Sequence, residues 1–177
     1  EIDSKIVKKC IENAVLAPTS SNLQLWEFYH ITNKELLIKL SKTCFSQPAA
    51  STAKQIIVVV ARKDLWKKRA NQNISFFDSK RDELSKKQYD LTRKYYSKAV
   101  PLVYKDFLGI FSYLKYLFAN FLGFFRVMYR QLRSSDTRIV AHKSAALASQ
   151  NFMISMAGFG YDTCPMEGFD SLKLKRL

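Results

Sequence analysis

Two segments far apart in the chain interrupt apolar helical patterns with short polar and turn-forming residues. They are residues 17–28, APTSSNLQLWEF, and residues 158–170, GFGYDTCPMEGFD. Proline keeps the residue before it out of the helical region, and glycine permits backbone conformations that other residues avoid. A chain changes its pattern in this way where its backbone must approach something closely. Both segments are therefore candidate binding loops, and each must follow the end of a helix.

Apolar residues at helical spacing predict several helices along the chain. Polar residues that can cap a helix mark their starts. The predicted caps are Asp3 or Ser4, Asn33 and Asp136. The last long helix ends at Gly158 and Gly160, and its small residues between positions 141 and 149 would let another helix approach closely.

Two runs predict β-strands, residues 26–31 and residues 55–61. The second run, QIIVVVA, has no polar alternation, which indicates a strand that is buried on both faces. Helices that alternate with few strands favour an α+β sandwich. The length is that of one domain, so we expect residues 1–177 to form a single domain.

The middle of the chain is basic and then aromatic. The net charge is +14, and residues 62–98 hold 12 Lys and Arg against 5 Asp and Glu. A solvated helix face is the plain interpretation, and no specific nucleic-acid partner is expected because no nucleic-acid motif accompanies the charge. Pro101 is expected to break this segment.

Residues 107–128, FLGIFSYLKYLFANFLGFFRVM, are nearly apolar but are interrupted by Lys115 and two glycines. A membrane-spanning helix needs about 20 largely apolar residues. We predict a hydrophobic flap or helical pair that covers a pocket or packs on a partner subunit. A helix on a membrane surface is the less favoured alternative, given the nearby basic residues. These are Lys105, Arg126, Arg130 and Arg133.

Cys10, Cys44 and Cys164 are odd in number and form no CxxC pair, which indicates free thiols in a reducing compartment, the cytoplasm. With only His30 and His142 besides them, no zinc-ligand spacing exists, so no metal is expected. Residues 1–4 do not resemble a secretory leader.

The first segment resembles a signature of the nitroreductase family, whose members bind flavin mononucleotide (FMN). The family pattern is similar to Ala-Pro-Ser-Ser-x-Asn-x-Gln-Pro-Trp-x-Phe, and Leu25 stands where the family usually has proline. The matching positions are Ala17, Pro18, Ser20 or Ser21, Asn22, Gln24, Trp26 and Phe28. The resemblance implies that this loop reaches a flavin held mainly by the partner subunit. The implied flavin-binding residues are Pro18, Thr19, Ser20, Ser21, Asn22 and Gln24.

The second segment resembles the family pattern Ala-x-x-x-Gly-x-x-x-x-Pro-x-Glu-Gly-Phe. The matching positions are Ala157, Pro165, Glu167, Gly168 and Phe169. By analogy, the backbone of Pro165, Met166, Glu167 and Gly168 lies beside the flavin ring. Glu167 and Gly168 are the predicted catalytic residues, because their N–H groups would hold N5 and O4 of the ring. The resemblance also places Gln47, with Ser46 beside it, at the ring edge.

The resemblance implies an α+β, nitroreductase-like sandwich with a central, mostly antiparallel sheet flanked by helices. It further implies a homodimer. We interpret residues 62–133 as a basic and aromatic helical insertion or lid, and the aromatic residues 107–125 within it as a candidate substrate lid. The implied activity is that of an oxidoreductase that uses FMN and either NADH or NADPH. Its implied substrates are nitroaromatic, quinone or similar electron-poor compounds, reduced by a ping-pong hydride transfer.

Parts of the family pattern have no match. The family binds the flavin phosphate with an arginine-rich N-terminal segment and with basic residues near the C-terminus, so we expect this sequence to lack native segments at both ends. The lysine that the family often places near N1 and O2 has only Lys54 as a weak candidate.

Two other functions stay open. One is a flavin-binding member of the family with a different reaction, such as ene reduction or dehalogenation. The other is a basic protein without catalysis that binds a membrane surface or nucleic acid through residues 62–133. Individual residues also have plainer interpretations: Trp26 and Phe28 as core residues, Cys164 as a small buried hydrophobic residue, and Asp162 and Asp170 as turn or cap residues.

Overall fold

A computed structural model describes residues 2–177, and Glu1 lies outside the described residues. Helices accompany a small antiparallel sheet of two strands, so the α+β prediction is confirmed. The chain forms two compact units. The first comprises the residues before Pro18, Glu27–Val60 and Leu147–Leu177, and the second comprises Pro18–Trp26 and Ala61–Ala146. Each unit has its own hydrophobic core.

Within residues 2–177 the regular elements are mostly helical. The strands are Trp26–Ile31 (β1) and Ile56–Ala61 (β2). The α-helices are Ser4–Ala14 (α1), Lys34–Thr43 (α2), Pro48–Ser51 (α3), Trp66–Ser79 (α4), Lys86–Lys94 (α5), Val100–Tyr104 (α6), Ile110–Leu122 (α7), Ser134–Gly158 (α8) and Ser171–Leu174 (α9). A π-helical turn, Tyr95–Ala99, joins α5 to α6.

The core of the first unit is formed by α1 and the C-terminal part of α8. Apolar residues recur on one face of α1 at helical spacing, and that face packs on α8. The Asn13 amide adds a hydrogen bond to the Ser155 hydroxyl at 2.8 Å. The buried core residues are Val7, Cys10, Ala14, Phe152 and Met156.

Two predicted helix caps are confirmed. The Asp3 carboxylate accepts a hydrogen bond from the N–H of Lys5 at 2.8 Å, at the start of α1. The Asn33 side-chain oxygen accepts one from the N–H of Leu36 at 3.0 Å, at the start of α2. Each such cap typically stabilises a helix by about 1 kcal/mol, because it satisfies an otherwise unpaired N–H group.

The start of α8 differs from the prediction, whereas its end agrees. The helix begins at Ser134, and Asp136 lies in its first turn, where its carboxylate accepts a hydrogen bond from the N–H of Arg133 at 3.0 Å. Asp136 therefore stabilises the helix start from inside rather than capping it. Beyond Gly158, Gly160 has a φ of +77° and donates to the carbonyl of Ala157, an arrangement that suits glycine at a helix end.

The prediction that β2 is buried on both faces is wrong. Ile56 is buried, but the rest of the strand is only partly buried. Within residues 2–177 this strand has β1 as its one neighbour in the sheet, so less of its surface is covered than in a wide sheet. The pairing continues past the strand ends, where the N–H of Arg62 donates to the carbonyl of Leu25 at 2.8 Å.

The core of the second unit gathers side chains from its loop and helices. Leu23 and Leu25, from the first candidate loop, are only 1% and 2% exposed. Trp66 stacks on Tyr104 with ring centroids 6.1 Å apart. The buried members of this core are Leu23, Leu25, Ala70, Tyr96, Val100, Tyr104 and Ala141.

Pro101 does not break the helical segment as predicted, because a π turn precedes it. The N–H of Val100 donates to the carbonyl of Tyr95, five residues back, instead of four. A π turn is wider than an α turn and locally changes the hydrogen-bond ladder. Helix α6 then runs from Val100 to Tyr104 with the proline in its first turn, a position that tolerates a missing N–H.

The aromatic stretch contains one helix, α7, rather than a helical pair. Lys115, which interrupts the apolar sequence, turns back toward α6, and its ammonium group donates to the carbonyls of Leu102 and Lys105 at 2.8 Å each. It thereby caps the C-terminal end of α6. Burial lowers the pKa of Lys115. No helix within residues 2–177 combines the length and the apolar character needed to cross a lipid bilayer.

The pH dependence of stability tests the packing of Tyr104. Burial, with smaller contributions from Tyr129 and Tyr95, raises the pKa of Tyr104 from 10.0 to about 12. The folded state then holds this proton more tightly than the unfolded chain. The free energy of unfolding should therefore fall as the pH rises from about 10 to about 12.

Thermal melts across that pH range should show a shallower fall for Tyr104→Phe than for the wild type. The exposed Tyr113→Phe serves as the control. If Tyr104→Phe kept the slope of the wild type, the hydroxyl of Tyr104 would not be buried as described.

Candidate functional site

The backbone of the first candidate segment takes an uncommon conformation. Ser21, Asn22 and Gln24 have φ angles of +57°, +45° and +47°, in the left-handed region. For residues other than glycine this conformation costs roughly 1–2 kcal/mol each, and asparagine tolerates it best. Such residues concentrate at ligand-binding sites and persist only where the surroundings hold them.

Buried side chains and local hydrogen bonds hold this segment in the second unit. Leu23 and Leu25 point into the core, and the N–H of Gln24 donates to the Thr19 hydroxyl at 3.3 Å. Because the apolar residues are inside, Pro18, Ser20 and Asn22 are exposed. The segment therefore presents short polar side chains on a buried apolar base.

Three residues that the sequence reasoning missed also hold this segment. The Asn73 amide donates to the carbonyl of Asn22 at 3.0 Å. The hydroxyl of Tyr96 donates to the carbonyl of Ser21 at 3.0 Å, and the hydroxyls of Tyr95 and Ser21 lie 2.6 Å apart. They are 51 to 75 residues away in sequence, and no motif marks them.

The second segment offers free backbone donors in the first unit. Within residues 2–177 the N–H groups of Met166, Glu167 and Gly168 donate to no other atom. Glu167 and Gly168 are exposed and Met166 is half-buried. Three successive N–H groups that no other group in residues 2–177 accepts from are donors that remain for the acceptor atoms of a ligand.

Gln47 and Gly168, which the sequence analysis placed at one site, lie together. The Gln47 amide donates both to the carbonyl of Gly168 at 2.8 Å and to the carbonyl of Cys44 at 3.0 Å. A further bond, from the N–H of Asp170 to the carbonyl of Thr43 at 2.8 Å, holds the end of the segment. Across the described residues, the side-chain oxygen of Gln47 accepts no hydrogen bond, so one acceptor remains for a ligand.

Gly168 is not required by the protein's own packing. A Cβ atom at this position would lie 3.6 Å from the Gln47 side-chain nitrogen, which is ordinary contact, and its φ is not in the left-handed region. A side chain here would instead occupy space next to the main chain that a ligand could otherwise use. The position is therefore open to a ligand that comes close to the main chain.

The predicted residues fall into two groups, one in each unit. Pro18, Thr19, Ser20, Ser21, Asn22 and Gln24 belong to the second unit. Ser46, Gln47, Pro165, Met166, Glu167 and Gly168 belong to the first. Ser46 is exposed and has a φ of +50°, and its N–H donates to the carbonyl of Ser41 at 2.8 Å.

The plainer interpretations have mixed outcomes. Trp26 is buried and Phe28 packs against the first core, so both are core residues as predicted. Asp170 caps α9 through the N–H groups of Leu172 and Lys173, as predicted. The prediction that Cys164 is buried is wrong: it is exposed, as are its neighbours in residues 162–165, which form no helix or strand. Cys10, Cys44 and Cys164 are all free thiols.

Known sequences identify the family of the chain. A sequence model of the nitroreductase family matches residues 1–177. The chain belongs to the nitroreductase family.

Two curated relatives of this nitroreductase chain illustrate the similarity. Protein DrgA of Synechocystis sp. is 29% identical over 170 residues, which cover 96% of this chain and 63% of that protein. A Staphylococcus haemolyticus protein with a provisional NAD(P)H nitroreductase name is 28% identical over 168 residues, which cover 94% of this chain and 65% of that protein. The chain therefore spans a little under two thirds of the length of these relatives.

Solved structures with this nitroreductase fold are also similar. One, from Staphylococcus epidermidis and provisionally named an NAD(P)H:FMN oxidoreductase, has a TM-score of 0.71 at 18% identity, covering 99% of this chain and 68% of its own. A protein from Exiguobacterium sibiricum in complex with FMN has a TM-score of 0.62 at 20% identity, covering 99% and 70%. An enone reductase of gut-bacterial fatty acid saturation has a TM-score of 0.64 at 16% identity, covering 98% and 69%. These likenesses confirm the predicted nitroreductase-like fold.

Proposed function

We propose that the protein is an FMN-dependent oxidoreductase that uses NADH or NADPH to reduce nitroaromatic, quinone or similar electron-poor substrates. The observation that carries this proposal is the row of free N–H groups at Met166, Glu167 and Gly168, in the segment that matches the family signature. FMN in the Exiguobacterium sibiricum structure and the NAD(P)H name of the Staphylococcus haemolyticus relative support the choice of cofactors.

The residues present fit a flavin in their chemistry. A flavin ring has acceptors at N5 and O4 and a donor at N3, and its side chain carries hydroxyls and a phosphate. The N–H groups of Glu167 and Gly168 match the ring acceptors, and the free oxygen of Gln47 matches the ring donor. Thr19, Ser20 and Asn22 carry the short polar groups that suit the ribityl chain.

The chemistry that FMN would supply when bound is hydride and electron transfer between the nicotinamide and the second substrate, in a ping-pong cycle. The N–H groups of Glu167 and Gly168 would donate to the ring in both halves of that cycle. Donors that are fixed before the reaction stabilise charge as it develops, without reorganisation. The Gln47 amide holds the carbonyl of Gly168 and so fixes the chain directly after these donors.

A two-fold homodimer is part of the proposal. Family resemblance implies that the first segment serves the flavin of the partner subunit, which would give two equivalent sites. This part of the proposal rests on the family resemblance, because the small residues Ala141, Ala145 and Ala148 of α8 are buried within the chain itself. The free cysteines fit a reducing compartment such as the cytoplasm.

Ene reduction is the second candidate reaction. An enone reductase shares this fold, and the same free donors would serve either reaction. The nature of the electron acceptor therefore distinguishes the candidates.

The visible spectrum of the purified intact protein tests the proposal directly. We expect a flavin band that bleaches with NADH or NADPH and returns with a nitroaromatic or a quinone. Return with an enone alone would favour ene reduction. A colourless protein that took up no added FMN would contradict the proposal, and binding to anionic vesicles or DNA would then favour the basic surface of residues 62–133.

Replacing Gly168 tests the backbone donors. Gly168→Ala should leave the melting temperature nearly unchanged, because the added Cβ makes only ordinary contact. It should weaken FMN binding by about tenfold, equivalent to about 1.4 kcal/mol, since the methyl group would keep the flavin from a close approach to the main chain. Fluorescence titration with FMN measures this effect.

Gly158→Ala is the matched control for that experiment. Gly158 ends α8, and a Cβ there meets nothing within 4 Å. FMN affinity should be unchanged in this variant. Equal affinity in Gly168→Ala and Gly158→Ala would show that no ligand approaches Gly168.

We also propose that α7 acts as the substrate lid within residues 107–125. Its exposed side chains are all apolar or tyrosine, because its one lysine turns inward. An apolar surface of this kind could contact planar aromatic substrates, or it could cover the binding site of a partner subunit. The exposed residues are Ile110, Phe111, Tyr113, Leu114, Leu117, Phe118 and Phe121.

Serine replacement on α7 tests the lid. Phe111→Ser combined with Phe118→Ser should raise the KM for a polycyclic nitroaromatic by about tenfold, the loss expected for one or two apolar contacts. FMN affinity should not change. The exposed Phe76→Ser on α4 is the control, and an unchanged KM in the α7 variant would rule out the lid.

A further inference from the structure

The left-handed conformation of the first candidate segment is stabilised by contacts from other parts of the chain. Ser21 and Asn22 carry side chains, and neither is a glycine that would adopt positive φ freely. Within the segment, Thr19 supplies one side-chain bond, to the N–H of Gln24. The carbonyl groups of Ser21 and Asn22 are held instead by α4 and by the π turn.

Two adjacent tyrosines of the π turn converge on one residue. The Tyr96 hydroxyl donates to the carbonyl of Ser21 at 3.0 Å, and the Tyr95 hydroxyl lies 2.6 Å from the Ser21 hydroxyl. The two rings meet edge to face with centroids 5.3 Å apart. In a regular α-helix, neighbouring side chains point about 100° apart. The wider π turn changes the direction of successive side chains, and here both tyrosine side chains reach Ser21. Such turns are frequent at functional sites.

The tyrosines are themselves fixed. Tyr96 is 8% exposed and stacks on Phe77 with ring centroids 6.1 Å apart. Burial, followed by the neighbouring Tyr95, raises the pKa of Tyr96, so its hydroxyl stays protonated and able to donate. Asn73 acts from α4, which packs against the π turn. All of these contacts lie inside the second unit.

We propose that Tyr95, Tyr96 and Asn73 are positioning residues that lock Ser21 and Asn22 in the left-handed conformation and so preorganise the loop for FMN. This inference rests on the proposed function. The Ser21 hydroxyl is occupied by Tyr95, which leaves Thr19, Ser20 and Asn22 to present polar groups to the ligand. A loop that is ordered before binding loses less conformational freedom when the ligand arrives.

Hydrogen exchange on the flavin-free protein tests the clamp itself. The N–H groups of Asn22, Leu23 and Gln24 are bonded within the segment, so their exchange reports its opening. Tyr96→Phe should speed exchange in residues 18–24 by about tenfold, the effect of one lost hydrogen bond. Equal exchange in this variant and in the wild type would overturn the clamp, whether or not the protein binds FMN.

Tyr89→Phe is the matched control. Tyr89 is a buried tyrosine of α5, and its hydroxyl donates to the Asp78 carboxylate at 2.7 Å, away from the loop. Exchange in residues 18–24 should not change in this variant. A similar acceleration in Tyr89→Phe and Tyr96→Phe would mean a general loosening of the unit and would overturn a specific clamp.

FMN titration tests the consequence for the ligand. Tyr95→Phe and Tyr96→Phe should each raise the Kd for FMN by about fivefold to tenfold. At saturating FMN, kcat should stay within about twofold, because the tyrosines touch no reacting atom. A loss of kcat with unchanged Kd would overturn the positioning role. Wild-type protein that took up no FMN would overturn the proposed function, and the exchange data would still decide the clamp.

A double-mutant cycle tests the hydroxyl pair. Ser21→Ala and Tyr95→Phe remove opposite sides of the same hydrogen bond, so the double variant should bind FMN no more weakly than either single variant. Additive losses would show that the Ser21 hydroxyl serves the ligand directly and would overturn its assignment to Tyr95.

Discussion

The burial of Leu23 and Leu25 is the constraint on which the candidate loop depends. These two side chains belong to the core of the second unit and anchor the end of the loop there. Apolar burial of a leucine is worth roughly 1.5–3 kcal/mol, enough to offset left-handed backbone at neighbouring polar residues. Folding of the unit thus fixes the end of the loop, and the hydrogen bonds from Asn73, Tyr95 and Tyr96 fix its polar residues.

The two signature segments differ in how their backbone groups are used. In the first, carbonyls and amides are bonded to the protein, and the side chains of Ser20 and Asn22 face outward. In the second, the N–H groups of Glu167 and Gly168 are left without partners among residues 2–177. One segment therefore offers side chains on a fixed backbone, and the other offers the backbone itself.

The sequence predicted correctly those features that neighbouring residues determine. The caps at Asp3 and Asn33 and the bounds of β1 follow from a few neighbouring residues, and they were predicted correctly. It did not predict burial correctly where residues distant in sequence determine it. The burial of β2 depends on how many strands flank it, and the exposure of Cys164 depends on which distant residues pack over its segment. The signature motifs located the candidate loops, but not the side chains that hold them. Tyr95 and Tyr96 are 74 and 75 residues from Ser21, and a wider helical turn changes the direction of their side chains.

The π turn between α5 and α6 has an evolutionary consequence. It contains one residue more than the α-helical turn that it replaces, so loss of a single residue there would restore a regular helix. Every side chain after that point would then rotate by about 100° relative to those before it. A one-residue deletion in this short stretch would thus act at a distance on the loop at Ser21, whereas most substitutions on the helix surface would not. Related sequences should therefore gain or lose the tyrosine pair together with that residue.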